Sequence, residues 1–283
     1  MEQAPITPRS CELGDALRTL RKEFAKGSAF AEQLDWDPSK VSNIERGKVR
    51  PTEVDLAQYL TACGKDRGWI TDFSNNYAHA FQTYFAQTAA NFSTVAFAER
   101  MAAAITGYGR TAIPDLLRTI EYTENLLQRR GASPNQVQAA IHSQRERQRV
   151  LRSDARPSLL FYMAETALNT QFKNARERMD QLELLRRMSR FLRIIPSGEN
   201  LSSSTDFTLY EREKLPTTVV VDCEYARVFI QDDGATSQCQ ALLAALDDVA
   251  LSHTDSSRLL SQLLVEEYVA GIKEATDDRP AAS

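Results

Sequence analysis

The 283-residue chain is 42% hydrophobic and 25% charged, enough apolar material to bury a core, which excludes wholesale disorder. Its 34 basic and 38 acidic residues give a formal charge of −4, which excludes a uniformly basic nucleic-acid coat but leaves room for a local basic footprint. At about 100–200 residues per domain the length allows one large domain or two. Cysteines at 11, 63, 223 and 239 match no zinc spacing and are too sparse for a disulfide framework, so a reducing cytoplasm is expected. The start MEQAPITPRS has no apolar signal region, and no run approaches the length of a membrane span.

In chain order, Leu13, Leu17 and Leu20 recur at helical spacing, and Phe30, Ala31 and Leu34 form a second apolar face. Val41 and Ile44 mark a third helix, and Val54, Leu56, Tyr59 and Leu60 a fourth. Gly47 follows the third, Pro51 and Thr52 can open the fourth, and Gly64 can end it. Residues 65–74 read as a linker or short bridging helix. Tyr77, Phe81, Tyr84 and Phe85, then Phe97, Met101 and Ile105, suggest aromatic helical stripes that form core or subunit interface, with Gly107 and Gly109 as breaks. Pro114 opens PDLLRTIEYTENLL, expected as a helix. Residues 134–153 are polar and Arg-rich, with Arg145, Arg147, Arg149, Arg152 and Arg156 set against Glu146 and Asp154; a solvated face, a phosphate contact and an acidic-partner contact all fit.

From residue 158 the pattern mixes helix and strand. SLLFYMAE, FLRIIP, DFTLYERE, TTVVVDCE and ARVFIQ read as strands; ALNTQFK, RERMDQLELLRRMSR, Leu242–Leu246 and Leu259–Tyr268 read as helices. The tail from 232 carries 10 acidic and 3 basic residues. The expected division is an all-α domain over 1–68 and a mixed helix/strand domain over 75–283.

The segment from Phe30 to Thr52, FAEQLDWDPSKVSNIERGKVRPT, carries the function. A turn at Asp35–Asp37 precedes a helix whose Val41 and Ile44 face inward. Ser39, Lys40, Ser42, Asn43 and Arg46 then flank it or face outward, as a helix inserted in the major groove requires. Asn can bond adenine bidentately and Lys can reach guanine. Residues 38–50 hold Lys40, Arg46, Lys48 and Arg50 against Glu45, the local basic footprint that phosphate contacts need.

From Leu13 to Gly64, the pieces LGDALRTLR, FAEQL, SKVSNIERGKVRPT and ACG resemble the lambda-repressor-like (XRE-type) helix-turn-helix domain of bacterial and phage regulators. The resemblance implies that KVSNIE is the recognition helix, with Ser39, Lys40, Ser42 and Asn43 contacting bases. Arg46, Lys48 and Arg50 would hold phosphates, together with the backbone at Gly27 and Ser28 where helix 2 begins. It also implies that Glu45 pairs with a helix 1 arginine, Arg21 being the local candidate. The first connection is one residue shorter than usual, and Lys26-Gly27 stands where Thr-Gln is common.

Residues 75–270 resemble the large C-terminal domain (DUF5753-type) of actinobacterial antitoxin-like regulators, through AERMAAAITGYGRTAIPDLLRT, EYTENLL, AETAL, DQLELL, LRIIPSG, DFTLYE and ALSHTDSSRLL. The family's Pro-Gly-Leu-Leu-Gln-Thr reads Pro114-Asp115-Leu116-Leu117-Arg118-Thr119 here. The resemblance implies a transcriptional regulator on double-stranded DNA, acting as a homodimer and modulated by a small partner protein encoded nearby, with no membrane role. A small-ligand sensor and a protein-binding adaptor are the alternatives. No cofactor, metal or catalytic residue is expected: His79, His142 and His253 lie apart, Asp222, Glu224, Asp232 and Asp233 read as solvated acids, and no nucleotide-binding or nucleophile motif occurs. Cys223, in an apolar run, is expected to be buried and inert.

Overall fold

The computed structural model describes residues 5–88, 91–152, 157–169, 172–199, 205–213, 215–223 and 226–277. Asp154, Arg156 and Glu224 lie outside them. The N-terminal part is all-α: α1 (Pro8–Lys22), α2 (Gly27–Gln33), α3 (Pro38–Glu45), α4 (Glu53–Ala62) and α5 (Arg67–Asn76). Thr7 and Ser10 form a capping box at α1, with Pro8 in the first turn; Thr52 and Asp55 repeat the device at α4. Leu13 and Leu17 of α1 meet Phe30, Ala31, Val41, Ile44, Tyr59 and Leu60 in one core. The stretch 65–74, expected as a linker or short bridging helix, falls in the helix α5, capped by Asp66, which accepts from the Trp69 N–H.

The rest builds a seven-stranded mixed sheet. Its strands are β1 (Tyr84–Thr88), β2 (Ala104–Gly109), β3 (Ser158–Ala164), β4 (Leu192–Ile195), β5 (Phe207–Arg212), β6 (Leu215–Asp222) and β7 (Ala226–Ile230), in the order β1-β7-β6-β5-β2-β3-β4. Strands β2, β3 and β4 run parallel; the other pairings are antiparallel. Side chains alternate between two layers, as period two demands. Ile105, Leu159, Phe161, Met163, Ile194, Tyr210, Val220 and Phe229 face a core with α6 (Ser93–Met101), α9 (Ala175–Arg187) and α11 (His253–Asp277). Tyr108, Tyr162, Ile195, Phe207, Leu209 and Val219 face the other layer, with Leu243 and Leu246 of α10 (Asp233–Val249).

Several expectations are corrected. The aromatic stripe at 77–85 is not a helix. Tyr77 ends α5 and packs with Phe81 on the N-terminal core, while Tyr84 and Phe85 alternate out and in on β1. Gly107 and Gly109 are not breaks but lie within β2. A Cβ on Gly107 would stand 2.6 Å from the Phe161 ring, its neighbour across the parallel ladder, so this buried ring occupies the space that glycine leaves. The run from Pro114 gives a 3-10 turn at Asp115–Leu117, and α7 (Ile120–Arg129) begins only after Thr119, which caps it. Cys223, just beyond β6, is exposed.

Residues 134–147 form α8 (Pro134–Arg147), and its last arginine is not solvated. Arg147 is buried, donates from Nε and Nη2 to the buried Glu99 carboxylate of α6, and reaches Asp115 from Nη1. Asp115 also pairs with Arg118 and with Arg227 of β7. The Pro114–Thr119 loop is pinned by three glutamine side chains. Gln181 donates to the Leu117 carbonyl and accepts from the Thr119 N–H; Gln144 and Gln148 donate to the Arg118 carbonyl.

Burial alone would raise the Asp115 carboxyl, but the guanidiniums of Arg118, Arg147 and Arg227 outweigh it and hold the carboxyl well below the usual range. A carboxyl depressed by folding stabilises fully above its unfolded pKa of about 4 and loses that contribution as pH falls below it. Urea unfolding at stepped pH is therefore expected to show wild-type stability falling below about pH 4, with a flatter decline in Asp115→Asn. Parallel declines in the two proteins would contradict this linkage.

Candidate nucleic-acid interface

Between α2 and α3 the chain turns through Leu34–Asp37, with Asp35 in the left-handed region at φ 55°. Asp37 caps α3 by accepting from the Ser39 N–H at 2.7 Å, and the Ser39 hydroxyl, then this backbone bond, hold its carboxyl below the usual range. Pro38 occupies the first turn, where it costs no hydrogen bond. Val41 and Ile44, each 2% exposed, are the inward face of α3. On the other positions Ser39 and Arg46 are exposed, and Ser42 and Asn43 are half-buried. Lys48 and Arg50, in the segment after α3, are exposed as well. Lys40 is engaged: its ammonium lies 4.0 Å from the Trp36 ring centre and 2.5 Å from Asp55 Oδ1.

Two glycines set how α1 crosses the end of α3. A Cβ on Gly14 would lie 2.4 Å from the Glu45 carbonyl oxygen. Gly47 has φ 68°, and its Cβ would lie 2.5 Å from the Ser10 backbone, whose hydroxyl donates to the Gly47 carbonyl. Behind α3, Arg21 of α1 binds Glu45 with two bonds, Nε to Oε1 at 2.5 Å and Nη2 to Oε2 at 3.0 Å. Tyr59 of α4 donates to the same carboxylate at 2.7 Å. The hydrogen bond to Glu45 raises the Arg21 pKa; burial, then the Glu45 contact, pushes the Tyr59 hydroxyl far up. Two helices, α1 and α4, thus lock the last turn of α3. Gly27 opens α2 beside Arg21, Ser28 is exposed, and the N-cap residue Lys26 makes no side-chain cap.

The joint between the two parts was not foreseen from sequence. Arg9 of α1, 3% exposed, donates to Glu12, to Thr94 of α6 and twice to Asn76 at the end of α5. Thr94 donates in turn to Glu12 at 2.6 Å. Thr7 reaches the Ala80 carbonyl and Gln231 the Ile6 carbonyl. Arg9 in PITPRS stands outside every apolar stripe, and its partners lie up to 85 residues away, so no local pattern marks it.

Among the described residues no group of three His, Cys, Asp or Glu could hold a metal ion, and no helix is long and apolar enough to cross a membrane. His79 and His142 are exposed, and His253 Nδ1 sits 3.0 Å from the carbonyls of Ser189 and Leu192.

The close approach at Gly47 makes it a sensitive position. Gly47→Ala is expected to lower stability in urea unfolding by more than about 1 kcal/mol. Gly131→Ala, at φ 75° with nothing within 4 Å of its Cβ, carries only the backbone strain and is expected to lose less. Equal losses would mean that the α1–α3 approach sets no limit.

No curated protein matches the chain. Family models match in two places: a helix-turn-helix domain over residues 12–68, and a domain of unknown function, DUF5753, over residues 92–262. The second match covers more than half of the chain and takes in β2 to β7, from α6 into α11, while the first runs from within α1 to the start of α5. The chain therefore belongs to the DUF5753 family, as an XRE-type helix-turn-helix protein with an all-α N-terminal domain and a mixed α/β C-terminal one.

Proposed function

We propose that the chain is a sequence-specific transcriptional regulator that binds double-stranded DNA as a homodimer, its C-terminal domain taking a small partner protein that modulates it. The observation that carries this reading is the outward face of α3. It is polar, it is followed at once by exposed Lys48 and Arg50, and its inner face is locked by Arg21, Glu45 and Tyr59. A rigid helix with short polar side chains is what the major groove admits. In this reading Ser39, Ser42 and Asn43 contact bases, and Lys40 joins them by exchanging Asp55 for a base edge. Arg46, Lys48, Arg50 and the uncapped first turn at Gly27 and Ser28 hold phosphates. Val265, Tyr268 and Val269, exposed at helical spacing on α11, support association through the C-terminal domain.

The test is selection from a random duplex pool at fixed salt, with native mass recorded alongside. A near-palindrome is expected for a dimer. Asn43→Ala should cost about 1–3 kcal/mol on the selected site and relax one position in each half. Lys48→Ala should weaken cognate and scrambled duplexes alike and lower the salt slope by about 1. A folded protein that enriches no sequence would contradict DNA reading, and an unchanged preference in Asn43→Ala would remove its role.

A further inference from the structure

Between α7, α8 and the adjoining strands β2, β5 and β6 lies a cavity of about 530 Å³. That volume is in the range that holds a small organic molecule. DNA reading by α3 makes no use of it. Leu126 and Leu127 of α7 and Ala140 of α8 give it an apolar wall.

Its polar groups are unevenly satisfied. The Gln144 amide nitrogen donates to the Arg118 carbonyl at 2.8 Å, but the Gln144 Oε1 acceptor has no partner among the described residues, though the residue is only 5% exposed. Thr123 Oγ1, on a residue 8% exposed, has none either. Both residues line the cavity. A buried acceptor left unmet is costly, and a ligand N–H or O–H relieves that cost.

The charges on the wall also differ in commitment. Asp115 is held by Arg118, Arg147 and Arg227, Asp222 accepts from Arg227, and Asp206 accepts from the Arg110 and Thr111 N–H groups. Arg130, exposed on the lining, pairs its side chain with no group among the described residues. An incoming cation would meet only engaged carboxylates, whereas an incoming anion meets an uncommitted guanidinium.

We infer that this cavity binds a small amphipathic organic anion. Its apolar body lies along Leu126, Leu127 and Ala140, its N–H or O–H donates to Gln144 Oε1, and its anionic group meets Arg130. The inference stands apart from the DNA reading and is tested without DNA.

8-Anilinonaphthalene-1-sulfonate has this chemistry: fused rings, an anilino N–H and a sulfonate. N-phenyl-1-naphthylamine is its neutral counterpart. Titrated into the full chain, the sulfonate is expected to bind saturably at one site with blue-shifted emission. Ala140→Trp, which fills the cavity, should weaken both compounds at least tenfold. Arg130→Ala, a surface change that leaves the core intact, should weaken the sulfonate about fivefold and the neutral compound less than twofold. Thermal unfolding of each variant verifies folding, and Arg130→Ala decides the matter should Ala140→Trp fail to fold. Non-saturable binding, or sulfonate affinity unchanged in Arg130→Ala, would overturn the inference.

Discussion

A guanidinium or carboxylate removed from water must find its opposite, and breaking such a pair by removing one partner costs about 3–5 kcal/mol. Around Asp115 this constraint organises the C-terminal domain. The carboxylate draws Arg118 from its own loop, Arg147 from the end of α8 and Arg227 from β7, and Arg147 brings Glu99 of α6. The Pro114–Thr119 loop can take a 3-10 turn rather than a full helical turn because three glutamines meet its backbone groups. Two helices, a loop and the strand β7 are thereby set against one another, and α7 and α8 stand off the sheet far enough to leave the cavity beside the cluster.

The same rule joins the two parts of the chain. Arg9 is buried because Glu12, Asn76 and Thr94 together meet its donors, with its guanidinium also 4.3 Å from the Tyr77 ring centre. The helix that receives it, α6, is the one whose Glu99 holds Arg147. The α1 helix, which positions α3 through Gly14, Gly47 and Arg21, is therefore in direct contact with the element that borders the charged cluster. The α3 helix and the large domain share a continuous set of packed and hydrogen-bonded groups.

The N-terminal domain was legible from sequence because each of its signals is local. Leucines at spacing three or four, Thr52 and Asp37 before helices, and Gly47 and Gly64 after them act over a few residues. The division into an all-α part and a mixed part was equally visible, in the change to runs such as TTVVV and RVFI. The stretch from 77 to 109 was not. Tyr77, Phe81, Tyr84 and Phe85 fall at helical spacing, yet β1 pairs with β7 some 140 positions later, a contact that no window can hold. Glycines at 107 and 109 looked like breaks because the need for them comes from Phe161 and the Ala112 carbonyl, their neighbours in space. Arg147 sat in a run of arginines that fitted a solvated face, a phosphate or an acidic partner alike, because Glu99 lies 48 residues away. Cys223 closes an apolar run, but it lies one residue past the strand, where burial stops.

On the outward face of α3 and the segment after it, sequence marked the residue types and the structure adds their state. Lys40 rests on Asp55 and Trp36, Asn43 is half-buried beside the locked end of α3, and Arg46, Lys48 and Arg50 stand free of the core. The most direct measurement is a crystal structure of the chain bound to its selected duplex. The account predicts α3 in the major groove with the Asn43 amide within hydrogen-bonding distance of a base edge and Lys48 beside a phosphate. A complex in which α3 lies outside the groove, or in which Asn43 faces protein alone, would contradict it.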